Sequence, residues 1–196
     1  MRIIAGELSG RRLLPVAGRK IRPTGDKVRE AVFAILASRY NLPVASSTRV
    51  LDLYAGTGAL GLEAISRGAL WVTFVEVDGE AAATVRANLE HCGVVDRGVV
   101  RRHSVEAFLA RAPLGDGDRD FTLAFLDPPY DAGPGLAAAL ATLAPPLLTP
   151  DAVIVAEHAA REPPPDAVGL LTLVDRRTWG RNGVSFYRPE TTSSAS

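Results

Sequence analysis

Between residues 49 and 157 the chain alternates short apolar runs with longer stretches whose apolar residues return every three or four positions. This rhythm limits the architecture more than any other feature. Residues 49–54, 71–76, 99–102, 121–126 and 152–157 read as buried strands, and 60–67, 80–92, 105–111 and 136–144 as the helices between them. Ala82, Val85 and Leu89 fall on one face of the second of these helices. Gly68 and Gly93 stand where helices should end, because glycine enters the left-handed backbone region without steric cost. Such alternation builds a mostly parallel sheet with helices on both faces.

The two ends depart from this rhythm. Ile3-Ile4 and Leu13-Leu14, punctuated by Gly6, Gly10 and Gly18, predict a small β-hairpin that is too small to hold itself together. Val28, Ala31, Val32, Ile35 and Leu36 then fall on one face of an amphipathic helix, with Thr24 at its N-cap. At the far end, residues 170–179 and 184–187 flank Gly180-Arg181-Asn182-Gly183, which leaves no room for a helix and predicts an antiparallel hairpin. With 196 residues, 47% of them hydrophobic, the chain suits one compact core. The expected organisation is a hairpin extension at 1–20, one α/β domain over 21–190 and a disordered tail at 191–196.

Charge is balanced overall, with 22 basic and 22 acidic residues, but it is unevenly placed. Before Glu30, Arg2, Arg11, Arg12, Arg19, Lys20, Arg22, Lys27 and Arg29 face only Glu7 and Asp26, so this arm carries +6 and the remainder −6. A basic arm on a mildly acidic body is the layout of a protein that meets nucleic acid at one end. Cys92 is the only cysteine, which excludes an internal disulfide and points to a reducing compartment, where it packs as a small apolar residue. No apolar run reaches the ~18 residues of a membrane span, and the charge at Arg2 comes too early for a signal peptide. A soluble cytoplasmic protein is expected. His91, His103 and His158 fall on different elements, so they are assigned surface or packing roles and no metal site is expected.

Two motifs carry chemistry. Leu51-Asp52-Leu53-Tyr54-Ala55-Gly56-Thr57-Gly58-Ala59-Leu60-Gly61 puts a glycine-rich turn at the carboxyl end of the first strand, where α/β sheets bind ligands. Gly56 and Gly58 let the backbone bend and a ligand lie against it, and Gly61 allows close helix-to-strand packing. Glu76, twenty residues after Gly56, would accept hydrogen bonds from two ribose hydroxyls. Asp52, Tyr54, Gly56, Gly58, Glu76 and the adjoining Val77 form the expected cofactor-binding set. The glycine spacing alone also admits a nicotinamide dehydrogenase.

Asp127-Pro128-Pro129-Tyr130, at the end of the fourth strand and so on the same rim, has no use in a dehydrogenase. The amine on a purine is a poor nucleophile, because its lone pair is delocalised into the ring. Two acceptors aimed at its N–H groups, the Asp127 carboxylate and the Pro128 carbonyl, would turn that pair outward, and the prolines hold them in place. Tyr130 would stack on a base removed from its helix. Asp127, Pro128, Pro129 and Tyr130 are therefore the candidate catalytic residues.

Together with Arg2-Ile3-Ile4-Ala5-Gly6, Gly10-Arg11-Arg12-Leu13 and Ile21-Arg22-Pro23-Thr24-Gly25-Asp26-Lys27-Val28-Arg29-Glu30, these motifs resemble the bacterial 16S ribosomal RNA guanine-N2 methyltransferase family. The resemblance implies a class I Rossmann-like methyltransferase whose mostly parallel sheet ends in an antiparallel hairpin. It implies S-adenosylmethionine as cofactor and 16S rRNA as partner, within the 30S subunit or an assembly intermediate, with methyl transfer to one guanine, number 966 in the family. By the same resemblance Arg22 and Thr24 close over the cofactor, and the basic arm with Arg2, Arg11, Arg12, Arg19 and Lys20 contacts RNA. Related enzymes often have Asp or Asn after the third strand, near the adenine amine. Ser104-Val105 stands there, leaving adenine contact to the hydroxyl or the backbone. A monomer is expected. Adenine-N6 methylation of RNA or DNA, a non-catalytic RNA-binding assembly factor, and a dehydrogenase are the alternatives.

Overall fold

A computed structural model describes residues 1–17, 25–42, 44–111, 115, 118–129, 135–143 and 147–190. Its elements are α1 (Gly25–Arg39), β1 (Arg49–Leu53), α2 (Ala59–Ser66), β2 (Trp71–Val75), α3 (Gly79–Cys92), β3 (Gly98–Arg101), α4 (Val105–Leu109), β4 (Phe121–Leu126), α5 (Gly135–Thr142), β5 (Leu148–Ala159), β6 (Ala167–Val168), β7 (Leu171–Trp179) and β8 (Asn182–Pro189). All eight strands join one sheet in the order β3-β2-β1-β4-β5-β8-β7-β6. The first five run parallel, and β8 enters antiparallel beside β5, between it and β7. A dinucleotide-binding sheet would continue with another parallel strand at that place.

The sheet separates two cores. On one face Val50, Phe74, Phe125 and Phe186 pack with α1, α2 and α3, and Cys92 belongs to this cluster. On the other, Leu51, Leu53, Leu126 and Tyr187 pack with α4 and α5. Among the described residues, no helix is long and apolar enough to cross a membrane.

Two local expectations need correction. The buried stripe of α1 is Val28, Arg29, Val32, Phe33 and Leu36, while Ala31 and Ile35 are only partly covered. The helix is rotated because Phe33 meets Phe125, with centroids 5.6 Å apart, and because Arg29 is drawn inward to Asp26 at 3.0 Å and Glu63 at 3.6 Å. Strand β5 extends beyond 152–157 in both directions. It passes an irregularity opposite Phe121 and Leu123, and at its far end its pairing with β8 continues to Ala159. The two-residue β6 has too little pattern to read. The Thr24 cap and the tail at 191–196 lie outside the described residues.

Residues 1–17 fold back as a short hairpin with a single antiparallel bridge between Arg2 and Arg12, and residues 18–20 of the expected extension lie outside the described residues. The Ile3 N–H donates to the Arg11 carbonyl at 2.9 Å, and the Gly10 N–H to that of Ile3 at 2.9 Å. The hairpin is bound tightly to the domain: Ile3, Leu8 and Leu13 are buried in the α1–α3 core. From α2, the Glu63 carboxylate accepts the Ile4 and Ala5 N–H groups at 2.7 and 3.1 Å. The Ser66 hydroxyl accepts from the Leu8 N–H at 2.9 Å and donates to the Ala5 carbonyl. At Gly6, with φ +86°, a β-carbon would fall 1.8 Å from the Ser66 carbonyl oxygen, so only glycine permits this approach.

Candidate active site

At the carboxyl ends of β1 and β4 the strand order reverses direction, β2 lying on one side of β1 and β4 on the other. Such a reversal opens a crevice beyond the strand ends. Leu53 is aligned with Leu126, so the glycine turn and Asp127 leave the sheet on neighbouring strands at one rim.

The turn begins with an unfavourable conformation. Tyr54 has φ 61°, followed by Gly56 at 57° and Gly58 at 79°, and a bulky side chain with positive φ is rare. The three glycines play different parts. A β-carbon on Gly56 would meet only the Tyr54 carbonyl, at 3.9 Å, leaving its main chain open to a ligand. One on Gly58 would press against Val85 and Phe74 at 3.1 and 3.3 Å, and one on Gly61 would overlap Phe74 at 2.3 Å. The core as well as the turn thus requires glycine at 58 and 61.

Glu76 is 8% exposed. Its two carboxylate oxygens accept the Gly56 N–H at 2.8 Å and the Asp78 N–H at 2.9 Å. Each oxygen keeps a further lone pair. Val77 beside it is 60% exposed, an apolar side chain standing at the rim. Ser104 caps α4, its hydroxyl oxygen accepting the Ala107 N–H at 3.2 Å, and Val105 is buried. Any ligand contact by Val105 is thus restricted to its main chain.

Asp52 lies beneath the turn, 2% exposed, and accepts the Gly61 N–H at 2.9 Å. It supplies from β1 the cap that Gly58, lacking a side chain, cannot give to α2. Burial, reinforced by Asp127 and Glu76, pushes its carboxyl up to about 8, against the opposing effect of the Gly61 hydrogen bond. The folded chain therefore holds a proton there that the unfolded chain loses at about pH 4. Stability should fall as pH rises from about 4 to about 8, since the folded state binds more protons across that window. Asp52→Asn keeps an acceptor for Gly61 and should flatten this slope. Urea unfolding at pH 5 and pH 8 measures it, and identical slopes in the two proteins would contradict the assignment.

Asp127 is exposed and Pro128 half-buried, with Pro129 exposed after them. Both prolines line a pocket of about 200 Å³ with Leu136, Ala137, Glu157, His158 and Pro163 to Pro165. His158 is mainly a packing residue: its ring nitrogens lie 2.9 Å from the Ala159 carbonyl and 2.9 Å from the Ser185 hydroxyl, and burial lowers its pKa. Arg2, Arg11 and Arg12 are exposed along the hairpin. Arg19, Lys20, Arg22, Thr24 and Tyr130 lie outside the described residues. Sequence reasoning missed Glu63 and Ser66, which tie the hairpin to α2, and Asn88, which ties it to the glycine turn. Their one signal was a polar residue at a core-facing helical position.

A family model described as Conserved hypothetical protein 95 matches residues 1–188. YlbH of Bacillus subtilis, which carries a provisional rRNA methyltransferase name, is 38% identical over 96% of this chain and 98% of its own length. Ribosomal RNA small subunit methyltransferase D of Haemophilus influenzae is 37% identical over 66% of this chain and 64% of its own. Among solved structures, yhhF of Escherichia coli, provisionally titled a methyltransferase, superposes with a TM-score of 0.81 at 30% identity, covering 98% of this chain and 99% of that one. The fold is thus the Rossmann-like fold of methyltransferases, its parallel sheet ending in antiparallel strands. Matched along nearly its whole length, the chain belongs to the Conserved hypothetical protein 95 family, the family of the ribosomal RNA small subunit methyltransferase D proteins.

Proposed function

We propose that this protein transfers the methyl group of S-adenosylmethionine to the exocyclic N2 of a guanine in 16S rRNA, guanine 966 in the family, in the 30S subunit or an assembly intermediate. The observation that carries this reading is the exit of Asp127 and Pro128 from β4 on the strand beside the glycine turn, at the edge of the proline-lined pocket. The relatives named as small subunit methyltransferases support rRNA as the acceptor.

The rim suits a cationic sulfonium ligand. Glu76 and Asp127 both lie near enough to the buried, protonated Asp52 to raise its pKa, and so share this rim, while Gly56 offers open main chain and Val77 apolar surface for a purine. A pyrophosphate would meet these carboxylates, and the Gly61 N–H it could use at the start of α2 is already given to Asp52. That disfavours a dehydrogenase.

When bound, S-adenosylmethionine supplies an electrophilic methyl group. The Asp127 carboxylate and the Pro128 carbonyl accept the two N–H groups of the guanine amine, directing its lone pair at the methyl carbon. Gly56, Glu76 and Val77 would hold this cofactor, which would give up its methyl group to the nitrogen and keep the electron pair on sulfur. The nitrogen, now cationic, releases a proton to solvent, so the step needs no strongly shifted base and rests on positioning. The pocket beside Pro128 receives the flipped base, and Tyr130 stacks on it, at roughly 1–3 kcal/mol for such a contact.

The hairpin faces RNA with Arg2, Arg11 and Arg12. Replacing all three by alanine should weaken 16S rRNA binding and lower the salt slope by about one per arginine, while S-adenosylhomocysteine still binds. An unchanged affinity and slope would rule these contacts out. Deleting the hairpin is a poorer test, because it also strips Ile3, Leu8 and Leu13 from the core.

The whole reading is tested by labelled methyl transfer to 30S subunits, free 16S rRNA and duplex DNA, with the product nucleoside identified. N2-methylguanosine in rRNA is expected. Label confined to adenine, or absent from every acceptor, overturns it.

A further inference from the structure

Asn88 sits in α3 with no solvent exposure, on the face that Val85 and Leu89 turn toward the core. Its carboxamide oxygen accepts the Leu14 N–H at 2.7 Å, and its nitrogen donates to the Leu14 carbonyl at 3.2 Å. To Leu14, on the second arm of the hairpin, Asn88 therefore presents what a neighbouring strand would. The same nitrogen donates to the Thr57 carbonyl at 3.0 Å, between Gly56 and Gly58. Both N–H groups of this amide are thus committed, one to the hairpin and one to the glycine turn.

Holding the Thr57 carbonyl fixes the plane of the Thr57–Gly58 peptide. The Gly58 N–H on that plane donates to the Ala55 carbonyl at 2.7 Å, and two residues earlier the Gly56 N–H rests on Glu76. A displacement of the hairpin arm therefore reaches the turn through one rigid amide. A second, weaker link runs in parallel, with the Thr57 hydroxyl 3.7 Å from the Met1 sulfur. Glu63 and Ser66 also hold the hairpin, but by α2, without a bond to the turn itself.

We propose that Asn88 is a positioning residue that couples the two sites, so that 16S rRNA docking on the hairpin and cofactor binding at the turn strengthen each other. This rests on the reading that the hairpin meets RNA and the turn holds S-adenosylmethionine. A cofactor resting on the open Gly56 main chain would restrict the turn further. RNA that steadies the hairpin prepays part of that ordering through Asn88, and linkage makes the effect reciprocal.

Calorimetry of S-adenosylhomocysteine binding, with and without saturating 16S rRNA, tests the proposal. In the native protein RNA should tighten cofactor binding about tenfold, within the usual range of coupling. In Asn88→Leu, each ligand should still bind and the ratio should fall to about one. A merely structural role for Asn88 would weaken both ligands and leave the ratio intact, which would overturn the proposal. So would a native ratio of one with both ligands bound. A native protein that binds neither ligand defeats the underlying reading instead. Should Asn88→Leu fail to fold, hydrogen exchange on the native protein decides: S-adenosylhomocysteine alone should slow the Leu14 amide along with Gly56 and Gly58. Protection confined to the turn would sink the coupling.

Discussion

Asp127→Ala should lower methyl transfer at least 10²–10³-fold, the usual order of loss when one preorganised polar group at a reacting centre is removed. Asp127 is exposed at the end of β4, so the melting temperature should stay within about 2 °C of the native value, as for surface substitutions. S-adenosylhomocysteine affinity should be nearly unchanged, because the turn and Glu76 are untouched. The loss should fall on kcat, since the acceptor matters most when the amine nitrogen becomes cationic. Asp127→Asn, which keeps one acceptor oxygen, should recover part of the rate. Single-turnover transfer to 30S subunits measures this, and a fully active alanine variant would leave the carboxylate without a role in the reaction.

Glu63→Ala should cost about 3–5 kcal/mol of stability, the range for breaking a buried ion pair by removing one partner. Glu63 has no solvent exposure and serves four groups: the Ile4 and Ala5 N–H groups, Arg67 at 2.8 Å and Arg29 at 3.6 Å. Arg29 itself is 3% exposed, so it would stay behind as a buried charge whose other carboxylate partner is Asp26, 3.0 Å away. The hairpin would lose the bonds that seat its first arm. At roughly 2–4 °C per kcal/mol for a chain of this size, the melting temperature should fall by about 6–20 °C. A loss below about 1 kcal/mol in urea unfolding would mean that the apolar contacts of Ile3, Leu8 and Leu13 hold the hairpin by themselves.

The parts of the molecule that could be read in advance were those written in local patterns. Strand β4 was placed at its observed limits, and Gly93 ends α3 with φ 70° as its position implied. The terminal hairpin is likewise present, though its connection is Gly180-Arg181 alone, with Asn182 and Gly183 already paired in β8. Asp127 reaches the rim of the glycine turn because alternation fixes which strand ends share an edge. What escaped notice were polar side chains whose partners lie far along the chain. Arg29 and Glu63 look like surface charges in a helical pattern, yet their burial is compensated by main-chain groups 58 or 59 residues away in the case of Glu63. Asn88 is a similar case, with a partner 74 residues distant. No short window holds both halves of such a bond. Phe33 was missed because the stripe of α1 was centred on its aliphatic residues, and the aromatic contact that rotates the helix lies on another strand.

Because β8 is threaded between β5 and β7, a strand made later than both of its neighbours is an interior piece of the sheet. Until residues 182–189 emerge, β5 offers an unpaired border rich in valine, isoleucine and alanine, the kind of edge on which nascent chains stick to one another. Truncation before Asn182 should therefore yield insoluble protein rather than a shorter folded one.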